Sequence, residues 1–338
     1  MRLIWKCGLG LAVAVIFTCL GLYLWVDAAM KRPHFHTVSE VLVIEPGLGR
    51  KAIVKRLVEA GVLTNRIAVL LYLTLKPQNL QAGEYKFESP ITPLAVLEKL
   101  RRGEITTEQV TIPEGSDIYD VEVLLTGING ATRSEVRRAL RKVDLIADID
   151  PAAETLEGYL YPDTYSYTTK TTPQQLVAAM VRRFRQIWHG ERRSKAAALG
   201  LTTRQVITLA SLIEEEAKVD EERALISAVF HNRLKRGMKL DCDPTFIYAA
   251  KLEEVWDGQV NNPLHRRRNS PYNTYLFSGL PPGPISSPQD KSIDAALNPA
   301  SVDYLYFVVS GSEGRHKFSR TMSEHIAAVA EYRKRKND

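Results

Sequence analysis

The sequence predicts an α+β protein in three parts: an N-terminal transmembrane helix, a small α/β module, and a larger mixed α+β domain. Three observations carry this. The 20 residues from Cys7 to Val26 include no charge. Between residues 40 and 125, short alternating apolar runs meet Pro–Gly turns and then pass into helical periodicity. Beyond residue 156, amphipathic helical stretches alternate with turn-rich loops, and a hairpin pattern precedes a terminal helix. The 338 residues, 45% hydrophobic and 25% charged, suffice for an anchor and two or three compact modules.

The first part follows from length. An uncharged run of 20 residues spans the roughly 30 Å hydrocarbon core as a helix. Trp5, Tyr23 and Trp25 stand near its ends, where amphipathic rings anchor at the interface. A cleaved signal peptide is the alternative, but its apolar region is usually about 7–15 residues and "VDAAMKR" is a poor cleavage site. Arg2 and Lys6 before the span nearly balance Lys31 and Arg32 after it, so charge alone leaves the orientation open. Residues 28–38 read as a short linker, residues 1–30 being the tip and the span.

In the second part, "VLVIEPGLGRKAIVKRLVEAGVL" gives a strand, a turn at Pro46-Gly47, and a helix on which Ile53, Leu57, Val58 and Val62 recur. "AGEYKFESPITPLAVLEKLRRGE" repeats strand, turn and helix. "EQVTIPEGSDIYDVEVLL" does so again, with Ser116 or Asp117 as N-cap. The third part opens with a polar helical stretch, 126–155. It continues through a tyrosine-rich segment (Tyr159, Tyr161, Tyr165, Tyr167) into an amphipathic helix entered at Thr172-Pro173. Those rings suit either a core or stacking on sugars. A helix from Thr202 or Thr203 follows, then a second ending near Gly237, then a third begun at Asp243-Pro244. Residues 269–300 hold so many prolines and glycines that they predict an ordered loop. "DYLYFVVSGSEGRHKFS" predicts a hairpin turning at "GSEG".

Composition excludes several chemistries. The net charge of +6 comes without an RNA-binding aromatic signature or zinc-finger spacing, so nucleic acid is not an expected partner. Of three cysteines, only Cys242 lies outside the apolar N-terminus, which rules out a disulfide framework in the body. The histidines are scattered without HExxH spacing, so no metal or other cofactor is expected.

"ASLIEEEAK" places three glutamates behind an apolar run. On a helical wheel Val206, Leu209, Ala210, Ile213 and Ala217 share one face. Glu216 follows Ile213 by three residues, Leu212 by four and Leu209 by seven, which sets it on the flank of that face. Glu214 lies at the other margin and Glu215 points towards solvent. A general acid must keep its proton near neutral pH, and burial beside apolar groups raises a carboxyl pKa. Glu216 therefore ranks first, the alternative being an ordinary helix glutamate paired with a lysine or arginine.

The stretch "TLASLIEEEAKVDEERALISAVFHNRLKRGMKLDCDPTFIYA" resembles the central motif of the YceG-like family of endolytic murein transglycosylases. "SPYNTYLFSGLPPGPISSP", "ALNPASVDYLYFV" and "HKFSRTMSEH" resemble its later blocks, "LEGYLYPDTY" and "AGEYKF" its earlier ones, all in the family's order. The resemblance implies a single-pass protein of the bacterial inner membrane, N-terminus cytoplasmic and body periplasmic. It implies a LysM-like module over residues 40–110 after a linker at 31–39, and a catalytic domain over 111–338. It implies cleavage of the β-1,4 bond between N-acetylmuramic acid and N-acetylglucosamine with formation of 1,6-anhydro ends, the peptidoglycan glycan strand as partner, and peptidoglycan synthases nearby. Laid on the family pattern S-[IL]-[IV]-E-x-E, the catalytic position is Glu216. The family usually continues with a threonine where this chain has Ala217. Tyr272, Asn273, Thr274 and Tyr275 are the expected sugar contacts. Asp243 either orients its neighbours or holds a turn. Glu157 either sits at the cleft as a second carboxylate or caps its own segment. A non-catalytic peptidoglycan-binding scaffold and a two-carboxylate muramidase are the competing classes.

Overall fold

In the computed structural model, which describes residues 2–310 and 314–337, the chain forms two compact units, residues 1–108 and 109–338. The first begins with helix α1 (Arg2–Lys31), continuous through the uncharged run. Its stretch Ala12–Lys31 is long and apolar enough to cross a membrane. Strand β1 (Leu42–Ile44), helices α2 (Arg50–Glu59) and α3 (Arg66–Leu75), strand β2 (Gly83–Tyr85) and helix α4 (Pro93–Arg102) follow. The two strands pair antiparallel, Leu42 opposite Tyr85 and Ile44 opposite Gly83. Local chemistry sets the helix starts. Asn65 accepts the Ala68 N–H at the start of α3, and Thr92 with Pro93 starts α4. Ile53, Val54, Leu57, Leu97 and Leu100 close a core that also takes in Val26 and Met30 of α1.

That last contact corrects the linker read over residues 28–38. The helix continues to Lys31, and His34 then exchanges backbone hydrogen bonds with Ile91 at 2.8 and 3.0 Å. The His36 N–H donates to Ser89 Oγ at 2.9 Å. The segment is docked onto the unit by residues more than 50 positions away in sequence. Helix α3, which the sequence reading left unassigned, packs on α1 and α2.

The second unit contains strand β3 (Glu108–Thr111), helices α5 (Ile118–Leu125) and α6 (Arg133–Leu140), strand β4 (Thr164–Tyr167), and helices α7 (Pro173–Ile187), α8 (Gly190–Ala198), α9 (Thr203–Glu216), α10 (Arg223–Lys235), α11 (Asp243–Leu252), α12 (Pro263–Arg266) and α13 (Asp290–Leu297). Strands β5 (Tyr306–Val309) and β6 (His316–Ser319) and helix α14 (Met322–Asn337) complete it. The sheets are small: β3 pairs with β4, and β5 with β6 as the expected hairpin, Tyr306 opposite Ser319. Most of that hairpin's "GSEG" turn lies outside the described residues. The architecture is therefore mixed α+β, with helices dominant.

Four helices of this unit start in reciprocal capping boxes, Asp117 with Asp120, Thr132 with Glu135, Thr172 with Gln175, and Thr202 with Gln205. Tyr159, Tyr161 and Tyr165 are buried, which assigns those rings to the core. Helix α9 lies at the centre. It packs against α8, α10, α11 and α13, and every residue from Val206 to Glu214 is buried.

Candidate functional site

The three glutamates close helix α9, and its central position decides what each can do. Glu214 is a structural acid. It takes the Arg223 guanidinium at 3.1 Å, the Gln289 backbone N–H at 3.0 Å and the Gln289 amide at 3.1 Å. Its sequence-read place at a margin becomes a fully enclosed one because α10 and α13 start against it.

Glu215, which the wheel turned towards solvent, keeps only part of that exposure. The loop at Gly115 and the loop at Ser286 close over it, so that a Cβ on Gly115 would come within 2.8 Å of Glu215 Oε1. The Gly115 N–H donates to the Ser287 carbonyl and the Ser287 N–H to the Ser116 carbonyl, joining the two loops. A wheel gives a helix one open wet side, whereas α9 is buried from Val206 to Glu214 and only partly exposed at Glu215 and Glu216. Burial pushes the Glu215 carboxyl up to about 7, with the Ser286 hydroxyl and Lys218 pulling the other way.

Glu216 faces the start of α11. The Cys242 thiol and the Asp243 backbone N–H lie beside its carboxyl and favour its charged form. A helix N-terminus with free N–H groups favours a carboxylate. Burial outweighs these donors, and with the Asp243 carboxylate nearby it raises Glu216 to about 7. The Cys242 thiol, itself buried, is driven well above its usual range by the same burial and by Glu216. Ala217, where the family usually has threonine, is a buried C-cap whose N–H returns to Ile213 at 2.9 Å. The polar side chain beside Glu216 is that of Cys242, 26 residues further on.

Asp243 accepts the Tyr275 hydroxyl at 2.5 Å and lies 3.5 Å from Arg266, whose guanidinium stacks 4.0 Å from the Tyr275 ring centroid. Glu216, Asp243 and Tyr275 therefore form one cluster with Cys242 and Arg266. Asn273 and Thr274 are placed differently from the sugar-contact expectation. Both are buried, and their polar atoms are used internally. Asn273 donates to the carbonyls of Arg266 and Arg268 at 3.0 and 2.9 Å and accepts the Tyr275 N–H at 3.1 Å. Thr274 Oγ1 accepts the Cys242 N–H at 3.0 Å and lies 2.9 Å from Thr245 Oγ1. They set the shape of the loop that positions Tyr275 and Cys242.

Tyr272 and Glu157 belong to a second group. They line a cavity of about 430 Å³ with Tyr119, Tyr248 and Arg204. Glu157 joins its own segment to α5 and to the cavity. It accepts the Ile118 N–H at 2.9 Å at the start of α5 and the N–H of its own neighbour Gly158 at 3.2 Å, and faces the cavity beside Tyr248. Burial and Asp117 raise it to about 8, so it carries a proton at neutral pH. Gly158 makes its close seat feasible, with φ of +80° and Pro284 within 2.5 Å of where a Cβ would stand. Glu216 is not among the residues lining this cavity.

Cys242, Arg266, Tyr248 and Arg204 escaped the sequence reading. The helix start expected at Asp243-Pro244 also implies N–H groups beside Cys242 that could meet a carboxylate, a signal that points to this site.

A model of the YceG-like family matches residues 42–331. A relative from Bacillus subtilis (strain 168), an "Endolytic murein transglycosylase", is 31% identical over 312 residues, covering 87% of this chain and 85% of its own. A relative of the same name from Streptococcus pneumoniae (strain ATCC BAA-255 / R6) is 28% identical over 81% of this chain, which spans only 55% of the pneumococcal protein. A solved YceG-like protein from Listeria monocytogenes superposes with a TM-score of 0.59 at 28% identity, covering 85% of this chain and 97% of its own.

Proposed function

The chain belongs to the YceG-like family, and from that premise we propose that it is an endolytic murein transglycosylase in which Glu216 is the catalytic acid and base. The observation that carries the residue assignment is the placement of the Glu216 carboxyl. Burial at the N-terminus of α11 raises its pKa to about 7, where a proton is available to give, while the neighbouring Cys242 thiol and Asp243 N–H favour the charge that results.

In the reaction, protonated Glu216 gives its proton to the glycosidic oxygen between N-acetylmuramic acid and N-acetylglucosamine. The C1–O bond breaks, and the N-acetylglucosamine hydroxyl leaves. The muramic acid C6 hydroxyl attacks C1, and the Glu216 carboxylate takes its proton. A 1,6-anhydro end forms, no water is consumed, and Glu216 is protonated again. The Asp243 carboxylate, fixed by Tyr275 and Arg266, stands where it can stabilise positive charge on the sugar. Tyr275 and Tyr272 supply aromatic surface for sugar rings, and Glu157, protonated, supplies a hydrogen-bond donor in the Tyr272 cavity.

Residues 40–110 are the LysM-like module of this reading and 111–338 its catalytic domain. The β1–α2–α3–β2 order supports a small glycan-binding module. The helix α1 anchors the chain in the inner membrane with its N-terminus cytoplasmic, and the substrate requires the body to be periplasmic. Cutting within nascent strands places the protein beside wall synthases.

The test is digestion of purified peptidoglycan with mass spectrometry of the new ends. Anhydro ends are expected from the native chain, with a loss of about 10²–10⁴-fold in Glu216→Gln. Reducing ends would mean hydrolysis, no new ends a scaffold, and an active Glu216→Gln a wrong residue.

A further inference from the structure

Unit 1 is mounted on its span without slack. Val26 and Met30 of α1 are buried in the core of the unit, and α1 packs on α3 and α4. The helix rises about 1.5 Å per residue, so Val26 and Met30 lie about 6 Å apart along the axis. The uncharged run ends at Val26. Beyond the hydrocarbon core, the headgroup layer of a leaflet is about 5–7 Å thick. The stretch of α1 that the unit grips is therefore the stretch that crosses the headgroups, and the docking of His34 on Ile91 removes any linker that could lift the unit away.

The surface around that exit has interfacial chemistry. Trp25 is 45% exposed, Phe35 75% and Ile67 66%. A groove of about 530 Å³ brings Trp25 and Phe35 together with Arg32 and Asn65, the residue that caps α3 immediately before Arg66 and Ile67. Exposed aromatic and aliphatic side chains interleaved with cations are what a phospholipid surface accepts, rings and chains entering the acyl boundary and guanidinium groups meeting phosphates.

We propose that unit 1 is an interfacial module: the rim carrying Trp25, Phe35 and Ile67 lies in the headgroup layer of the leaflet from which α1 emerges, with Arg32 and Arg66 against lipid phosphates. The inference rests on reading α1 as a membrane span. It assigns the unit a second binding surface, for phospholipid, continuous with the anchor.

The test uses the full chain in phosphatidylethanolamine–phosphatidylglycerol nanodiscs containing lipids brominated on the acyl chain. A bimane probe is placed singly at Phe35→Cys, Ile67→Cys or Lys55→Cys after replacing Cys7 and Cys19 by serine. Cys242 is buried and stays. The native Cys19, labelled alone with Cys7 replaced, reports on the span. Quenching at positions 35 and 67 is expected to exceed that at the exposed position 55 at least about twofold, since interfacial residues sit within reach of the acyl boundary. Strong quenching at Cys19 with positions 35 and 67 no higher than 55 would overturn the proposal while leaving the span intact. No quenching at Cys19 would remove the span and the proposal with it. Positions 35 and 67 are exposed, so neither label disturbs the core.

Discussion

Glu215 and Glu216 are adjacent and both lifted to about 7 by burial, and the proposed mechanism gives the chemistry to Glu216 alone. The pH dependence separates stability from activity. A carboxyl whose folded pKa lies above its ordinary value of 4.5 is favoured by the fold in its neutral form. Its contribution is fully present below about 4.5 and is lost as pH rises through about 7. Gln cannot ionise. Thermal melts of Glu215→Gln and Glu216→Gln should therefore both rise relative to the native chain at pH 8, by about 2–4 °C for each kcal/mol gained, and should converge on it below pH 4.5. Activity should fall by about 10²–10⁴-fold only in Glu216→Gln. In the native chain kcat/KM should fall as pH rises past about 7, because the acid form of Glu216 is consumed. Cys242 sets where that limb lies. A hydroxyl is a better donor than a thiol, and a better donor to the carboxylate favours its charged form. Cys242→Ser should move the alkaline limb to lower pH with the fold unchanged, and an unmoved limb would mean that the thiol does not act on Glu216.

At the scale of elements, the pair Glu214–Arg223 joins three helix ends. Glu214 closes α9, Arg223 opens α10 and also reaches Ser292 of α13, and the Gln289 N–H that caps α13 donates to Glu214. Removing one partner leaves a buried charge alone. Arg223→Ala should cost about 3–5 kcal/mol in urea unfolding, and a cost below about 1 would show that the pair carries no such burden. The same helices show what a single sequence could and could not yield. The starts of α7 and α9 were legible because Thr172-Pro173 and Thr202 are local signals acting within one turn. The candidate Glu216 was legible because its spacing from Leu209, Leu212 and Ile213 and its place in the motif agree. The environment of Glu215 was not, because a wheel assigns a wet side by default. The neighbours that narrow it, Gly115 and Ser286, lie 100 and 71 positions away in the chain. Asn273 and Thr274 were misplaced for a related reason. A polar loop looks exposed in sequence, whereas this one spends its polar groups on the carbonyls of residues 266 and 268 and on Cys242.

At the scale of the molecule, the two units have separate cores. One runs from Val26 to Leu100 and the other from Val110 to Leu297, and no residue belongs to both. Every group assigned to the reaction, from Glu157 through Glu216 and Asp243 to Tyr275, lies in the second. A fragment spanning residues 105–338 retains β3, its partner β4 and the whole of that core. It should unfold in one cooperative transition by calorimetry and release anhydro-ended products from soluble glycan strands. Its turnover should stay within a few-fold of the full chain in detergent, since the acid, its donors and the charges around it are all retained. Loss of activity in a fragment that still melts cooperatively would mean that residues of the first unit complete the catalytic site. A broad transition without a cooperative melt would mean that the second core needs the first to fold.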